Sequence, residues 1–288
     1  MRYVQIRAFH YVATYGGFSR AAQALFLTQP AVSDQVKKLE DEYDILLFSR
    51  QKKQVSLTKQ GAELFQITKR LFEVEGQALE YLSENKAFTT GTLRIKADST
   101  LHILGALSRF RVKFPKVKIE ISTGNSQDVI RDLLSYEADI GVLGTIPKNP
   151  NIDVIRLGKS PIIAFTSKSN PIAKNKTLSY KGLSELPLVM REAGSKTRQK
   201  LNAAATKKGV TLRPTIEAEG REAVEEIVRA GSGIGFVSSK EFSEKNNLVS
   251  IQIEDAPIDM EEAVISLKER SSGKLIKTFM AMVKNNTL

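Results

Sequence analysis

Residues 18–40, FSRAAQALFLTQPAVSDQVKKLE, constrain the fold of this chain more than any other stretch. They divide into two short helical segments joined by a tight turn. Ser19 can cap the first, where Ala21, Ala22 and Leu25 give a small-residue face that lets a neighbouring helix approach. Thr28 can cap the second, with Pro30 in its first turn, where a missing N–H costs nothing. Val32, Val36 and Leu39 recur at the interval of a buried stripe. At about 100° per residue, Gln29, Ser33 and Lys37 share another, outward face. An amide, a hydroxyl and an ammonium group on one exposed helix can reach base edges and phosphates. An ordinary pair of surface helices would carry the same pattern, so the neighbouring sequence has to decide.

Phe48-Ser49-Arg50-Gln51-Lys52-Lys53-Gln54-Val55-Ser56-Leu57-Thr58 is a basic turn between strand-like residues, the composition of a wing lying along a phosphate backbone. Such charge runs are more often plain solvated surface. Beside a helix-turn-helix pattern, the wing is the better reading. Phe9, Gly17-Phe18, Ala21-Ala22, Gln29-Pro30-Ala31-Val32-Ser33, Leu39-Glu40, Leu47-Phe48, Arg50, Leu57-Thr58 and Gly61 follow in order. In that order and spacing the sequence resembles the N-terminal domain of the LysR-type transcriptional regulators. Asp44 departs from the pattern, which usually has Gly there.

Residues 59–86 form a different kind of segment. Gly61, Leu64/Phe65, Thr68, Leu71/Phe72, Glu75, Ala78/Leu79 and Leu82 trace a stripe at three- and four-residue intervals, with no proline. A long helix protruding from a small domain cannot bury that stripe alone, so pairing with a second copy is expected over folding back on its own chain. Two-fold pairing would present two recognition helices to a pseudo-palindromic site on double-stranded DNA. The resemblance implies the same dimerising linker, within a homodimer or homotetramer.

From Gly91 onward, strand-like and helical stretches alternate. Strands are expected at 92–97, 117–122, 139–143, 162–166, 188–190, 215–219, 234–238 and 263–268. Helices are expected at 101–113, 128–136, 197–208, 221–230 and 274–283. This alternation predicts parallel sheets with helices on both faces. The expected fold class is thus α/β with an N-terminal all-α winged helix-turn-helix, a long linker helix and a bilobed Rossmann-like domain. The resemblance implies 1–58 as the DNA-binding domain, 59–90 as the linker and 91–288 as an effector-binding domain of periplasmic-binding-protein type. It places lobe I at about 92–161 plus 266–288 and lobe II at about 162–265.

Composition excludes several classes. The chain of 288 residues has no cysteine, so disulfides, thiolate metal sites and cysteine nucleophiles are out. Its two histidines cannot build a histidine-rich metal centre. No apolar run reaches the roughly 20 residues of a membrane span, and MRYVQIRAF does not read as a secretory signal, so a cytoplasmic protein is expected. The net charge of +11 is unevenly spread: +3 over residues 1–58, −1 over 59–90 and +9 over 91–288. Part of the C-terminal excess is ordinary solubilising lysine, and a positive field also suits a small anion or flanking DNA.

Gly231-Ser232-Gly233-Ile234-Gly235 imitates a nucleotide motif, but it follows a helix and enters a strand. A dinucleotide fingerprint needs the reverse order, so this is a helix end and a close-packed turn. No G-x-S-x-G elbow is present, and the scattered carboxylates form no recognisable catalytic pair. No enzyme, cofactor or metal site is expected.

Polar loops open four helices: Ser99-Thr100, Gly124-Asn125-Ser126, Gly194-Ser195-Lys196-Thr197-Arg198 and Gly220-Arg221. Free N–H groups at helix starts gather anions, although capping explains each Ser or Thr singly. Four such loops at strand-to-helix switches, with Arg198 and Arg221 nearby, point to a shared cleft.

Two function classes remain: a ligand-responsive DNA-binding regulator, or a solute-binding component with no regulatory role. The first 90 residues favour the regulator. Its expected DNA contacts are Ser19, Gln29, Pro30, Ser33, Asp34 and Lys37, with Arg50, Lys52 and Lys53 on the backbone. GNSQDVIRDLLSYEADIGVLG, REAGSKTR and GREAVEEIVRAGSGIGFVS resemble the LysR-type branch associated with 2-aminoethylphosphonate catabolism. For such a ligand, hydroxyls of Ser99, Thr100, Ser126, Ser195 and Thr197 would hold the phosphonate, beside Asn125. Arg198 or Arg221 would add a charge-assisted fork, and Asp139 or Glu219 would meet the ammonium end. A carboxylate or sulfate held by the same loops is the rival.

Overall fold

The computed structural model describes residues 1–49, 55–82, 91–244, 247–254 and 258–285. The chain divides into two compact units, Met1–Lys86 and Ala87–Leu288. Arg50, Lys52 and Lys53 lie outside the described residues.

In the first unit, α1 (Tyr3–Tyr15), α2 (Phe18–Leu25) and α3 (Gln29–Tyr43) pack around Phe9, Val12, Ala21, Ala22, Val32, Val36 and Leu39. Ala21 and Ala22 are buried in this core, where α2 meets its neighbours. The cap of α2 lies two residues ahead of the expected one: Gly17 is its N-cap, and Ser19 is exposed within its first turn. Gly17 contributes no side-chain cap, so the backbone turn alone starts the helix. Thr28 does cap α3, its hydroxyl accepting from the Ala31 N–H at 3.4 Å.

β1 (Phe48–Ser49) and β2 (Ser56–Leu57) pair antiparallel, Phe48 opposite Leu57. Buried Glu40 fixes the approach to this ribbon, since its Oε1 accepts from the N–H groups of Leu47 (2.7 Å) and Phe48 (3.1 Å). Gly61 admits no side chain, because a Cβ there would stand 2.0 Å from the Leu47 carbonyl oxygen. α4 (Lys59–Leu82) carries the expected long stripe. Part of it is covered within the chain: Thr68 is buried and holds His10 at 3.0 Å, and Phe72 lies 4.4 Å from the His10 ring. Ile67, Leu71, Val74, Leu79 and Leu82 remain exposed.

The second unit is built on one continuous mixed sheet. Its strands are β3 (Gly91–Ala97), β4 (Val117–Thr123), β5 (Ile140–Leu143), β6 (Ile152–Ser167), β7 (Thr177–Leu178), β8 (Leu188–Arg191), β9 (Pro214–Ala218), β10 (Ile234–Ser238), β11 (Leu248–Ile253) and β12 (Asp259–Leu267). The strand order is β4-β3-β5-β12-β6-β10-β8-β9, with β11 on β6 and β7 on β11. The helices are α5 (Leu104–Lys113), α6 (Ser126–Leu134), α7 (Tyr180–Ser184), α8 (Lys196–Lys207), α9 (Arg221–Arg229) and α10 (Lys274–Lys284).

The expectation of parallel sheets is only half right. β3 runs parallel to β4 and β5, and β8 to β9 and β10, but β12 pairs antiparallel with β5 and β6, and β6 antiparallel with β10 and β11. The physical reason is that β6 and β12 traverse both lobes in opposite directions. β6 pairs with β12 up to Pro161 and with β10 from Ile162 onward. The first lobe packs Leu93, Ile95, Phe110, Ile140, Val264 and Phe279 on one face of the sheet, and Val129, Leu133 and Ile265 on the other. Ile162, Leu201, Phe236 and Ile251 anchor the second lobe on one face, and Phe165, Val189 and Val228 on the other. The Gly231–Gly233 stretch links α9 to β10, and a Cβ at Gly233 would stand 2.3 Å from the Pro187 carbonyl oxygen.

Candidate functional site

A cleft of about 340 Å³ opens between the lobes of the second unit. Asp98, Thr123, Gly124, Asn125 and Asp128 line it from the first lobe; Arg191, Glu192, Glu219, Gly220, Arg221 and Glu222 line it from the second. Each wall is made where a strand hands over to a helix, so backbone donors and side chains converge.

On the first wall, Asp98 follows β3, and its Oδ2 accepts from the Gly144 N–H (2.8 Å) and the Ser126 hydroxyl (3.1 Å). Desolvation, aided by the Glu241 charge, pushes its pKa up to about 7 against those hydrogen bonds. Asn125 caps α6 and reads its N–H groups itself, accepting from Gln127 (2.9 Å) and Asp128 (3.1 Å). On the second wall, Glu192 accepts from Arg191 (2.9 Å) and from the Gly220 N–H at the start of α9 (3.2 Å). Burial works against that carboxylate, but Arg191 and the backbone N–H groups of Glu192 and Gly220 together hold the pKa below its ordinary value.

Arg221 ties the walls together. It donates to the Ser99 hydroxyl of the first lobe at 2.9 Å, and lies within 3.5 Å of Glu241 and 3.0 Å of Glu222. Across the same junction His102 Nε2 stands 2.9 Å from Glu241 Oε1. The cleft therefore carries five carboxylic groups (Asp98, Asp128, Glu192, Glu219 and Glu222) and two guanidinium groups, Arg191 and Arg221. A ligand here meets both signs of charge.

Of the residues expected at a ligand, Asn125, Glu219 and Arg221 line this cleft, while Ser99 and Ser126 hold its lining side chains. Thr100 starts the 3-10 turn Leu101–Ile103. Ser195 is buried as the cap of α8, and Thr197 lies 3.9 Å from the Met260 sulfur. Arg198 is taken up by the Arg191 carbonyl (2.7 Å) and Glu217 (2.6 Å). Thr100, Ser195, Thr197 and Arg198 are not in the cleft lining. Asp139 is a correction: its carboxylate is buried between Arg94 (2.8 Å) and Arg270 (2.6 Å), so it has no reach toward a ligand's ammonium group. Sequence reasoning missed Asp98, Asp128, Arg191, Glu192, Glu222, His102 and Glu241. Asp98 adjoins Ser99, and Asp128, Arg191, Glu192 and Glu222 lie inside blocks already quoted; His102 and Glu241 meet only through folding.

In the helical unit, Gln29, Pro30, Asp34 and Lys37 are exposed along α3, and Ser33 is half-buried beside them. Asp34 pairs with Lys38 at 2.7 Å, one turn on, so its carboxylate already has a cation. No helix among the described residues is long and apolar enough to cross a membrane.

Residues 3–62 match the bacterial regulatory helix-turn-helix protein, lysR family, and residues 86–287 match the LysR substrate binding domain. A RuBisCO operon transcriptional regulator of Allochromatium vinosum is 31% identical over 258 residues, covering 88% of this chain and 85% of that protein. A full-length OxyR point variant of Pseudomonas aeruginosa shares the fold, with a TM-score of 0.79 at 17% identity over 99% of this chain and 95% of that one. The Synechocystis PCC6803 CcmR regulatory domain, solved in complex with 2-PG, gives a TM-score of 0.61 at 20% identity over 68% of this chain and 97% of that one. The chain belongs to the LysR family, whose members are DNA-binding transcriptional regulators and not enzymes.

Proposed function

We propose that this regulator responds to a small anion that also carries a cationic or hydrogen-donating group, bound in the cleft between Asp98 and Arg221. The observation that carries the reading is the mixed lining: two guanidinium groups set among five carboxylic groups. Arg191 and Arg221 suit a phosphonate, carboxylate or sulfate, and Glu219 and Asp98 suit an ammonium. 2-Aminoethylphosphonate combines both ends in a molecule small enough for such a cleft, and the sequence blocks that resemble its regulators contribute Asn125, Arg191 and Arg221. In the same reading, residues 1–58 bind a pseudo-palindromic operator through α3 and the basic turn, 59–90 pair two copies, and 91–288 hold the effector.

A second reading is favoured by the relatives reported above, one named for a RuBisCO operon and one solved with 2-PG. Here the same cleft takes 2-PG or another plain anion, and the target genes serve carbon fixation. Calorimetry on the full-length protein separates the two, with 2-aminoethylphosphonate, 2-PG, sulfate and a plain dicarboxylate as titrants. Heat with 2-aminoethylphosphonate alone supports the first; binding of 2-PG without it supports the second. Replacing Arg191 by Ala should cost about 2–5 kcal/mol of binding in either case. No heat with any of the four would remove the small-anion reading and leave family membership untouched.

A further inference from the structure

The first three helices each end in a left-handed residue: Gly16 (φ 64°) after α1, Phe26 (φ 57°) after α2 and Asp44 (φ 51°) after α3. The turn after α2 closes with the paired bonds of a Schellman motif, Phe26 N–H to the Gln23 carbonyl (3.2 Å) and Leu27 N–H to the Ala22 carbonyl (2.9 Å). That position favours Gly, which has no Cβ to clash, and tolerates Asn or Asp. Phe is a poor choice there. Its ring is also 95% exposed, so packing gives nothing back. Tyr136 is the other left-handed aromatic among the described residues, and it is buried, with Arg270 over its ring at 5.7 Å.

An outlier in an unfavourable backbone region, with no compensating burial, points to a contact that the isolated chain does not make. Its place in the fold names that contact. Phe26 stands two residues before Thr28, the cap of α3, and so adjoins Gln29 and Pro30 at the end of the helix that leads into a major groove. We propose that the Phe26 ring makes an apolar contact with duplex DNA beside the entry point of α3, against a thymine methyl or the face of a deoxyribose. This rests on α3 being the recognition helix.

The test uses the full-length protein and a duplex that the wild type itself selects from a randomised library. Phe26→Asn and Phe26→Gly fit the left-handed turn better than Phe does, so both variants should melt at or above the wild-type temperature. Their affinity for the selected duplex should nevertheless fall about tenfold or more. A purely structural role would move affinity and melting together. Replacing thymines one at a time by deoxyuridine then identifies the surface. A position where the wild type weakens and Phe26→Asn does not assigns the ring to a methyl; no such position, with the tenfold loss intact, assigns it to the sugar. Wild-type affinity in both variants overturns the proposal while leaving α3 as the recognition helix. Selection of no duplex by the wild type would overturn the recognition-helix reading and this inference with it.

Discussion

Asp139 holds two arginines at once. Its Oδ1 meets Arg94 at 2.8 Å and Arg270 at 2.6 Å, its Oδ2 accepts the Arg94 N–H at 2.7 Å, and only 5% of either the Asp139 or the Arg270 side chain is exposed. A charge in that setting is tolerable only while its partner stays. Asp139→Ala would leave the Arg270 guanidinium buried without this carboxylate, and should cost about 3–5 kcal/mol of stability. Urea denaturation of the full-length variant measures it. Effector binding, tested well below the transition, should survive. Unchanged stability with lost binding would return Asp139 to the ligand. The residue reads as an acidic ligand candidate in sequence because it is a carboxylate within the block GNSQDVIRDLLSYEADIGVLG, able to meet an ammonium group. What sequence does not reveal is that Arg94, on the adjacent strand, and Arg270, after β12, close around it.

At the scale of elements, α3 carries the sharpest expectation. Gln29, Ser33 and Lys37 fall on one side of a helix whose Val32, Val36 and Leu39 are buried, as their spacing predicts. Gln29→Ala or Ser33→Ala should cost about 1–3 kcal/mol of discrimination between selected and random duplexes. Lys37→Ala should weaken both alike and reduce the salt slope by about one. Equal losses on both duplexes for Gln29→Ala, in fluorescence-anisotropy titrations over a range of salt, would remove α3 from the groove. Elements with a strong local period were legible: α3, α4, α9, α10 and β10 all fall within a few residues of expectation. The first half of β6 was not, because Gly158 and Pro161 punctuate it like a loop. In the structure Gly158 takes φ 119° opposite a bulge at Glu262 and Ala263, so the strand absorbs an irregularity that would otherwise end it. The antiparallel placement of β12 was equally hidden. Its register with β5 and β6 is set by tertiary packing between distant segments, which no local pattern encodes. The cleft shows the same division: Asn125 and Arg221 announce themselves at helix starts, whereas Glu241 joins only through the fold.

The lobes are joined by a charged cluster in which His102 and Asp98 both have raised pKa values, and this makes the effector unit's cohesion depend on pH. Burial opposes a charge on His102, but the hydrogen bond and attraction from Glu241, with Glu262 and Asp98 behind it, outweigh burial and hold its pKa above 6.5. Glu241 is likewise opposed by burial and held below its ordinary value by His102 and Arg221. A raised histidine contributes stability that is complete below its unfolded pKa and fades as pH climbs through the folded one. Asp98, pushed up to about 7 from 3.8, loses its contribution over that interval as it ionises. The depressed Glu241 supports the fold above 4.5 and weakens only in acid. His102 and Asp98 thus act in the same direction: the junction loosens through Asp98 as pH rises to about 7, and through His102 as pH climbs above 6.5. His10 in the helical unit acts oppositely and elsewhere: burial lowers its pKa to about 4, so that unit gains stability as pH rises from about 4 to 6.5 and is indifferent above. Hydrogen-exchange protection factors, which divide out the intrinsic pH dependence of exchange, resolve the two units separately. As pH rises above about 6.5 protection should fall at residues 99–103 and 239–242, and stay level in α1 and α3. In His102→Gln the fall should shrink to the part owed to Asp98, and with Asp98→Asn added it should vanish. Protection that holds level across this range in the wild type would show that Arg221 and Ser99 keep the lobes together without help from the histidine.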